Sequence, residues 1–333
     1  MGKYNYVIFG SDWDLYLHAY SDVFEMPAAR YIKPFKGYNL PCGTLKKVAF
    51  DFHFNPKANR LFSIPFKSYW NKYYFIDDFK EDKPICFIFF NNWVKLENDL
   101  VDYLKYEYPG SKFVWFNQDL IKTQRYAFSR KKYDVDKIKR EFDLCMSFDY
   151  ADCQKYDMVY HPLVYSSSNQ EKCELESDVY FLGQAKTRLH EIIEVYEILK
   201  RQGIRCSFYI AGAPRDQRQY SNEIHYIRRM DYETNLYHIR RSKCLLELMQ
   251  ESADNFTIRT CEAIGLDKKL ITNSPVITSQ HFYRKDYITK IQMPSDLCDI
   301  DIKAFLKDID KVDYGYKEQI SPSEFFSFID SHL

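Results

Sequence analysis

Two carboxylates eight positions apart, Asp254 and Glu262, bracket one cation, Arg259, in the stretch Asp254-Asn-Phe-Thr-Ile-Arg-Thr-Cys-Glu262. Carboxylates accept hydrogen bonds from sugar and ribose hydroxyls, whereas an arginine beside a helix start binds phosphate. Together they fit a nucleotide sugar. The Thr257 hydroxyl is placed to cap a helix beginning at Ile258. That puts Arg259 in the first turn, where a positive charge opposes the macrodipole at a cost of about 0.3–1 kcal/mol. An anion at the same end would turn that cost into a contact. The plain alternative is an ion pair with Glu262 three residues on, worth ~0.2–0.5 kcal/mol on an exposed helix. Cys261, Ala263 and Ile264 flank Glu262 and leave little of the helix for solvent, which favours a specific hydrogen-bonding role for it.

A second cationic helix start stands upstream. Gly183 follows a predicted strand, and Lys186 and Arg188 flank the start of the next helix, for which Thr187 is the expected cap. If the two starts lie at the carboxyl ends of adjacent strands, they grip a pyrophosphate from two sides. Thr260 adds a hydroxyl to the set. On the acceptor side, Gly10-Ser11-Asp12 follows the first strand, and His18 follows them. Asp12 is the first choice for a general base or acceptor contact; its plain reading is a helix cap before Leu15–Val23. The histidines are spaced without metal-ligand logic, so no metal site is expected.

These residues need a scaffold that presents loops at strand ends. A chain of 333 residues exceeds one ordinary core and predicts two domains. Short apolar runs alternate with helix-compatible stretches, the pattern of a parallel sheet covered by helices. In the first half, strands are expected at Tyr6–Phe9, Val48–Phe52, Ile85–Phe90, Phe113–Phe116 and Leu144–Phe148, with helices at Leu96–Tyr106 and Val135–Phe142. Asn55–Phe79 is aromatic and irregular and is given no element. The polar stretch Ser166–Lys172 is the linker. The alternation then restarts, with strands at Val179–Leu182, Cys206–Ile210, Ile224–Ile227, Cys244–Leu248 and Lys269–Thr272. Helices are expected at Leu189–Leu199, closed by Gly203, at Tyr232–Arg241 and at Thr257–Ile264. The expected division is an acceptor-binding domain of residues 1–165, a nucleotide-sugar-binding domain of 166–318, and a helical segment at 319–333 packing back on the first domain.

Composition narrows the class. Hydrophobic residues at 46% and charged residues at 28% describe an ordinary globular chain, and 29 Tyr and 26 Phe against 10 Gly make its core aromatic. A formal net charge of zero argues against a nucleic-acid protein held by overall charge. Charge is uneven all the same: between Lys122 and Arg140, eight basic residues stand against Asp134 and Asp136, with Tyr126, Phe128 and Tyr133 among them. Such a run is a solvated face or a contact with an anionic membrane surface. The nine cysteines form no CxxC pair and read as reduced core residues of a cytosolic protein. No signal peptide and no membrane-spanning run is read, so any membrane association is expected to be peripheral.

Asp254–Glu262 with Ala263-Ile264-Gly265 and Lys268–Asn273 resembles the donor-site segment of GT-B glycosyltransferases, whose pattern is Glu, seven residues, Glu, then a small-residue turn and a strand. Phe256–Glu262 is more closely similar to bacterial transferases of capsule and lipopolysaccharide gene clusters. The likeness runs from about Val179 to Asn273, and Phe142–Asp149 with Tyr156-Asp157 and His161-Pro162 is similar to the end of that family's first domain. Asp254 stands where the family has Glu. The resemblance implies an α/β fold of two Rossmann-like domains facing a cleft, and transfer of a sugar from a nucleotide diphosphate sugar to a surface-glycan acceptor. It implies Glu262 on the nucleotide ribose, Asp254 on the donor sugar, and Arg188 with Lys186 on the diphosphate, with Gly183, Thr257, Arg259 and Thr260 completing the donor site and no cofactor. Localisation is expected to be cytoplasmic, at the inner membrane face. Two alternatives stay open: a nucleotide-sugar epimerase of the same fold, and a non-catalytic two-lobed binding protein.

Overall fold

The structure, a computed structural model, describes residues 2–34, 43–55, 64–91, 93, 99–123, 134–167, 173–249 and 255–333. The chain forms two compact units, Met1–Pro162 with Pro322–Leu333, and Leu163–Ser321. Each is a six-stranded sheet in which every pair of neighbours is parallel.

In the first unit the strands are β1 (Asn5–Phe9), β2 (Ala29–Ile32), β3 (Ile85–Phe90), β4 (Lys112–Asn117), β5 (Leu144–Ser147) and β6 (Val159–Tyr160), in the order β2-β1-β3-β4-β5-β6. A central parallel strand is covered on both faces, so it needs apolar residues at every position. Ile85-Cys86-Phe87-Ile88-Phe89-Phe90 meets that demand and is buried throughout. The core is aromatic, with Phe9 stacked on Phe89 at 4.5 Å and set edge-on to Trp93 at 4.9 Å between ring centres. Helix Pro322–His332 closes this unit: Phe326 stacks on Tyr6 at 4.1 Å, and Asp330 accepts the Tyr6 hydroxyl at 2.5 Å and the Lys3 backbone N–H at 2.8 Å.

In the second unit β7 (Ser177–Gln184), β8 (Cys206–Ala211), β9 (His225–Ile227), β10 (Ser242–Glu247), β11 (Lys269–Thr272) and β12 (Ile288–Lys290) lie in the order β12-β11-β10-β7-β8-β9. Its core is aliphatic. Helix Leu189–Arg201 buries Leu189, Ile192, Ile193, Tyr196 and Leu199, the stripe its period predicts. It ends in a Schellman turn: Gly203 takes φ 71°, its N–H reaches Lys200 O at 2.9 Å, and Ile204 N reaches Leu199 O at 3.1 Å.

Several expectations are corrected. Val48–Phe52 lies within a helix, Thr44–His53. Its alternating Val, Phe and Phe imitate a strand, but only Phe50 is buried, edge-on to Trp70 at 5.4 Å. Strands β2, β6 and β12 were not anticipated. The helix expected at Leu96–Tyr106 spans Leu100–Glu107, and residues 94–98 lie outside the described set. Thr187 does not cap its helix: the chain turns at Lys186, Arg188 N bonds Ala185 O at 3.0 Å, and Arg188 is the N-cap residue with no side-chain cap. Among the described residues no helix is long and apolar enough to cross a membrane.

Candidate functional site

Both sheets reverse direction once in their strand order. The chain leaves β7 toward β8 on one side and returns to β10 on the other, so the two neighbours β7 and β10 flank a topological switch point. Ligands in open parallel sheets bind outside the carboxyl ends of the strands at such a point. The corresponding point of the first unit lies between β1 and β3.

At the end of β7, Gly183 leaves space that a side chain would fill: a Cβ there would stand 2.7 Å from the Phe181 ring and 3.3 Å from Arg188 Nη2. Lys186 then takes a left-handed conformation, φ 43°, which a non-glycine residue adopts at some cost. The turn carries the half-buried Arg188 back over the strand end. Its Nε and Nη2 each donate to Gln184 O at 3.3 Å, and Nη1 donates to Leu248 O just past β10. Arg188 thus bridges the two strand ends of the switch point. Burial lowers its pKa, and the fields of Glu191 and Glu247 oppose this without cancelling it. A buried cation that is short of negative charge suits an anion.

At the end of β10 the chain enters helix Ile258–Gly265. Thr257 caps it by accepting Arg259 N at 3.1 Å. The anchor beneath this start is Glu247, the last residue of β10 and 3% exposed. One carboxylate oxygen accepts Thr257 N at 2.9 Å and the Thr257 hydroxyl at 2.6 Å; the other accepts the hydroxyls of Thr260 at 3.0 Å and Thr272 at 2.6 Å. Thr257 and Thr260 are therefore committed to Glu247. Sequence reading missed this residue, although a lone acid closing the apolar run Cys244-Leu245-Leu246 was a usable signal.

Arg259 and Glu262 are directed at each other. Arg259 Nη1 and Glu262 Oε2 approach to 2.7 Å, and Nη2 also donates to Leu182 O at 3.2 Å over the Tyr180 ring. This is the plain alternative of the sequence reading in buried form, since Glu262 is 1% exposed. Its Oε1 accepts the Tyr232 hydroxyl at 2.8 Å and Asn235 Nδ2 at 3.1 Å. The single Tyr232 proton is spent there, so the Tyr165 hydroxyl, 3.0 Å away, donates to Tyr232. Tyr180 donates in turn to Asn235 Oδ1 at 2.9 Å. Burial works against both charges. It prevails at Glu262, whose pKa is raised against the pull of Arg259, Tyr232 and Asn235; at Arg259 the fields of Glu262, Tyr180, Tyr232 and Glu247 outweigh it and raise the pKa.

Gly183, the next-to-last residue of β7, and Lys186, Arg188, Thr257, Arg259, Thr260 and Glu262, on the segments that leave β7 and β10, thus all lie at these two strand ends. Asp254 lies outside the described residues. Asp12 belongs to the first unit, past β1. Tyr31 covers Gly10 so closely that a Cβ there would stand 2.1 Å from its ring, and its hydroxyl accepts Ser11 N at 2.9 Å and donates to Ser11 O at 3.0 Å. Trp93 Nε1 donates to Gly10 O at 2.6 Å. This fixed turn presents Asp12 exposed at the β1–β3 switch point. Asp12 is not a helix cap: helix Asp14–Ala19 has Trp13 at its N-cap position. Among the described residues no group of three His, Cys, Asp or Glu side chains is arranged to hold a metal.

No protein-family model matches the chain. No curated protein matches it either. Solved structures share its fold. AviGT4, a glycosyltransferase involved in avilamycin A biosynthesis, is similar at 10% identity over 98% of both chains with a TM-score of 0.51. The glycotransferase of kitacinnamycin is similar at 7% identity over 99% of both chains with a TM-score of 0.50. TarM is similar at 11% identity with a TM-score of 0.50; the match covers 74% of this chain, which spans only 54% of TarM. The likeness is one of fold: two Rossmann-like units of the kind found in GT-B glycosyltransferases.

Proposed function

We propose that the chain is a glycosyltransferase that moves a sugar from a nucleotide diphosphate sugar to a lipopolysaccharide or capsule acceptor. The observation that carries this reading is Arg188, a half-buried cation bridging the carboxyl ends of β7 and β10 at a switch point. In the reaction, the bond from the sugar's anomeric carbon to the diphosphate breaks and a bond to an acceptor oxygen forms. Charge develops on the leaving diphosphate, and fixed cations and helix N–H groups stabilise it best where water is excluded. Arg188 takes that role, with Lys186 beside it and Arg259 behind. Glu262 receives a ribose hydroxyl on Oε2, which requires Arg259 to turn from Glu262 toward the diphosphate. Asp254 meets the donor sugar. Asp12 takes the acceptor proton if the anomeric centre is inverted; with retention the donor phosphate takes it. Work on a surface-glycan acceptor implies a cytoplasmic protein at the membrane, with the basic run 122–140, of which residues 124–133 lie outside the described set, as its contact with anionic lipid.

A thermal-shift panel of nucleoside diphosphates tests this. A ligand at one hundred times its dissociation constant adds about 2.7 kcal/mol, which is about 5–10 °C where the second unit, Leu163–Ser321, unfolds as a domain of its own. At least one diphosphate is expected to give such a shift, and Arg188→Ala to reduce it to a third or less with the ligand-free midpoint nearly unchanged. The donor reading fails if none stabilises the wild type, or if the variant responds equally. The closed Arg259–Glu262 pair favours the non-catalytic alternative, so binding without any donor turnover would select that reading.

A further inference from the structure

A cavity of about 330 Å³ lies at the amino ends of β4 and β5, the edge of the first sheet opposite to the one that carries Asp12. Local sequence builds it. Pro109 and Gly110 are the central residues of a β-turn that Ser111 N closes on Tyr108 O at 3.2 Å, and Gly110 takes φ 84°, the left-handed position that a type II turn gives to glycine. The turn brings Ser111 to the lining, two residues before Phe113 of β4. Helix Val135–Glu141 supplies Arg140 from its last turn. Helix Leu100–Glu107 supplies Lys105, whose Nζ donates to Glu141 O at 2.6 Å and stands 5.3 Å from the Phe113 ring. Asp143 ties the strand starts together: its Oδ2 accepts Phe113 N at 2.8 Å, and its own N–H donates to Phe113 O at 2.8 Å.

The fold leaves the polar groups of this cavity incompletely used. Among the described residues the Arg140 guanidinium has neither a hydrogen bond nor an ion pair. The Ser111 hydroxyl is buried and also has no partner, a state that folded chains avoid. Lys105 meets a carbonyl oxygen rather than a carboxylate. The acids of the lining are engaged elsewhere, Glu141 with Lys137 at 3.5 Å and Asp143 with Lys112 at 3.4 Å. Two cations without a carboxylate call for an anion, and the guanidinium fork fits a carboxylate. Glu141 and Asp143 limit its charge: a phosphate ester brings close to two negative charges against both acids, a carboxylate only one. The other partners suit hydroxyls and a ring. Ser111 and Asp143 offer hydrogen bonds to hydroxyls, and Phe113 and Phe142 offer a small apolar surface. Small-molecule sites start at about 300 Å³, so the cavity has room for one sugar residue. We infer that it binds a sugar ring carrying one carboxylate, a uronate residue of an acidic glycan. The six residues of β4 span about 20 Å, so a residue held here is not the one that meets Asp12. The site is an anchor, and only the statement that the anchored glycan is the acceptor rests on the transferase reading above.

Saturation-transfer NMR on the full chain tests this, with glucuronate, glucose and glucose 6-phosphate as probes. Glucuronate is expected to bind with a dissociation constant of about 1–10 mM, the weak end of specific affinities. Glucose and glucose 6-phosphate should bind at least tenfold more weakly. Arg140→Ala should cost at least tenfold in glucuronate affinity with the melting midpoint unchanged, because the side chain is exposed. Ser111→Ala should cost several-fold while leaving the midpoint equal or higher, since a hydroxyl without a partner has no bond to lose. Neither Arg188→Ala nor a saturating nucleoside diphosphate should change glucuronate binding. The inference is overturned if glucuronate gives no saturable signal in that range, if glucose binds equally well, or if Arg140→Ala binds as the wild type does. It is also overturned if glucose 6-phosphate binds better, which would make this a phosphate site, or if a nucleoside diphosphate displaces glucuronate, which would then occupy the donor site. Glucuronate binding that persists when no nucleoside diphosphate stabilises the chain strikes the donor reading alone, and the converse result strikes this inference alone.

Discussion

Glu247 and Glu262 are buried carboxylates around one helix start, held in opposite ways. Glu247 is surrounded by three hydroxyls and a backbone N–H, Glu262 by a guanidinium, a phenol and an amide. Removing charge therefore has different costs. Glu262→Gln leaves Arg259 buried without its counterion, which costs about 3–5 kcal/mol. Glu247→Gln keeps one acceptor oxygen but turns an amide NH₂ toward donors, at about 1–3 kcal/mol. Urea unfolding checks the ranking, and the double variant Arg259→Met, Glu262→Gln should be more stable than Glu262→Gln alone. Equal stabilities of the two singles would show that the pair is not the buried anchor described. The sequence revealed the members of this cluster that are close along the chain: the Thr257 cap and the Arg259–Glu262 spacing. Glu247, Tyr232 and Asn235 lie 10 to 30 residues from their partners, and only strand order brings them in.

At the level of elements, legibility followed burial. Strand β3 was readable to its ends because both of its faces are covered. Strand β2 was not, since three of its four residues are only half-buried and an edge position imposes little pattern. The start of β7 illustrates how such strands are tied together. Asp178 accepts Arg205 N at 3.0 Å and Arg205 Nε at 3.3 Å beside β8, and pairs with Lys243 of β10 at 2.8 Å. Burial pushes its carboxyl up, but the Arg205 and Lys243 contacts prevail and hold it down at about 2. A depressed carboxylate contributes stability that is complete above its ordinary value of 3.8 and is lost as pH falls toward 2. Asp178→Asn should therefore flatten the pH dependence of stability between pH 4 and 2, and an unchanged slope in that interval would refute the assignment.

The two units are expected to meet acid at different pH. In the first, His161 is 2% exposed among Phe116, Phe325 and Phe328. Its Nδ1 donates to Pro162 O at 2.7 Å. Burial lowers its pKa to about 4 from 6.5. The unfolded chain then binds the proton first, so this contribution is complete above pH 6.5 and is lost as pH falls to about 4. The loss approaches about 3 kcal/mol. Asp178 of the second unit gives way only below that window. Acid titration should therefore weaken the first unit before the second, and His161→Phe should remove the earlier phase; a single transition unchanged by the variant would contradict this.

The division of core chemistry between the units also makes the molecule self-labelled. All four tryptophans, Trp13, Trp70, Trp93 and Trp115, belong to the aromatic first unit and none to the aliphatic second. Indole emission therefore reads the first unit alone, while far-ultraviolet dichroism reads both, and their divergence in any titration measures how far the two units part company. Trp93 bonds the carbonyl of Gly10, two residues before Asp12, and the exposed Trp13 follows Asp12 directly in the chain. The same signal is thus a native optical reporter of whatever occupies the β1–β3 switch point.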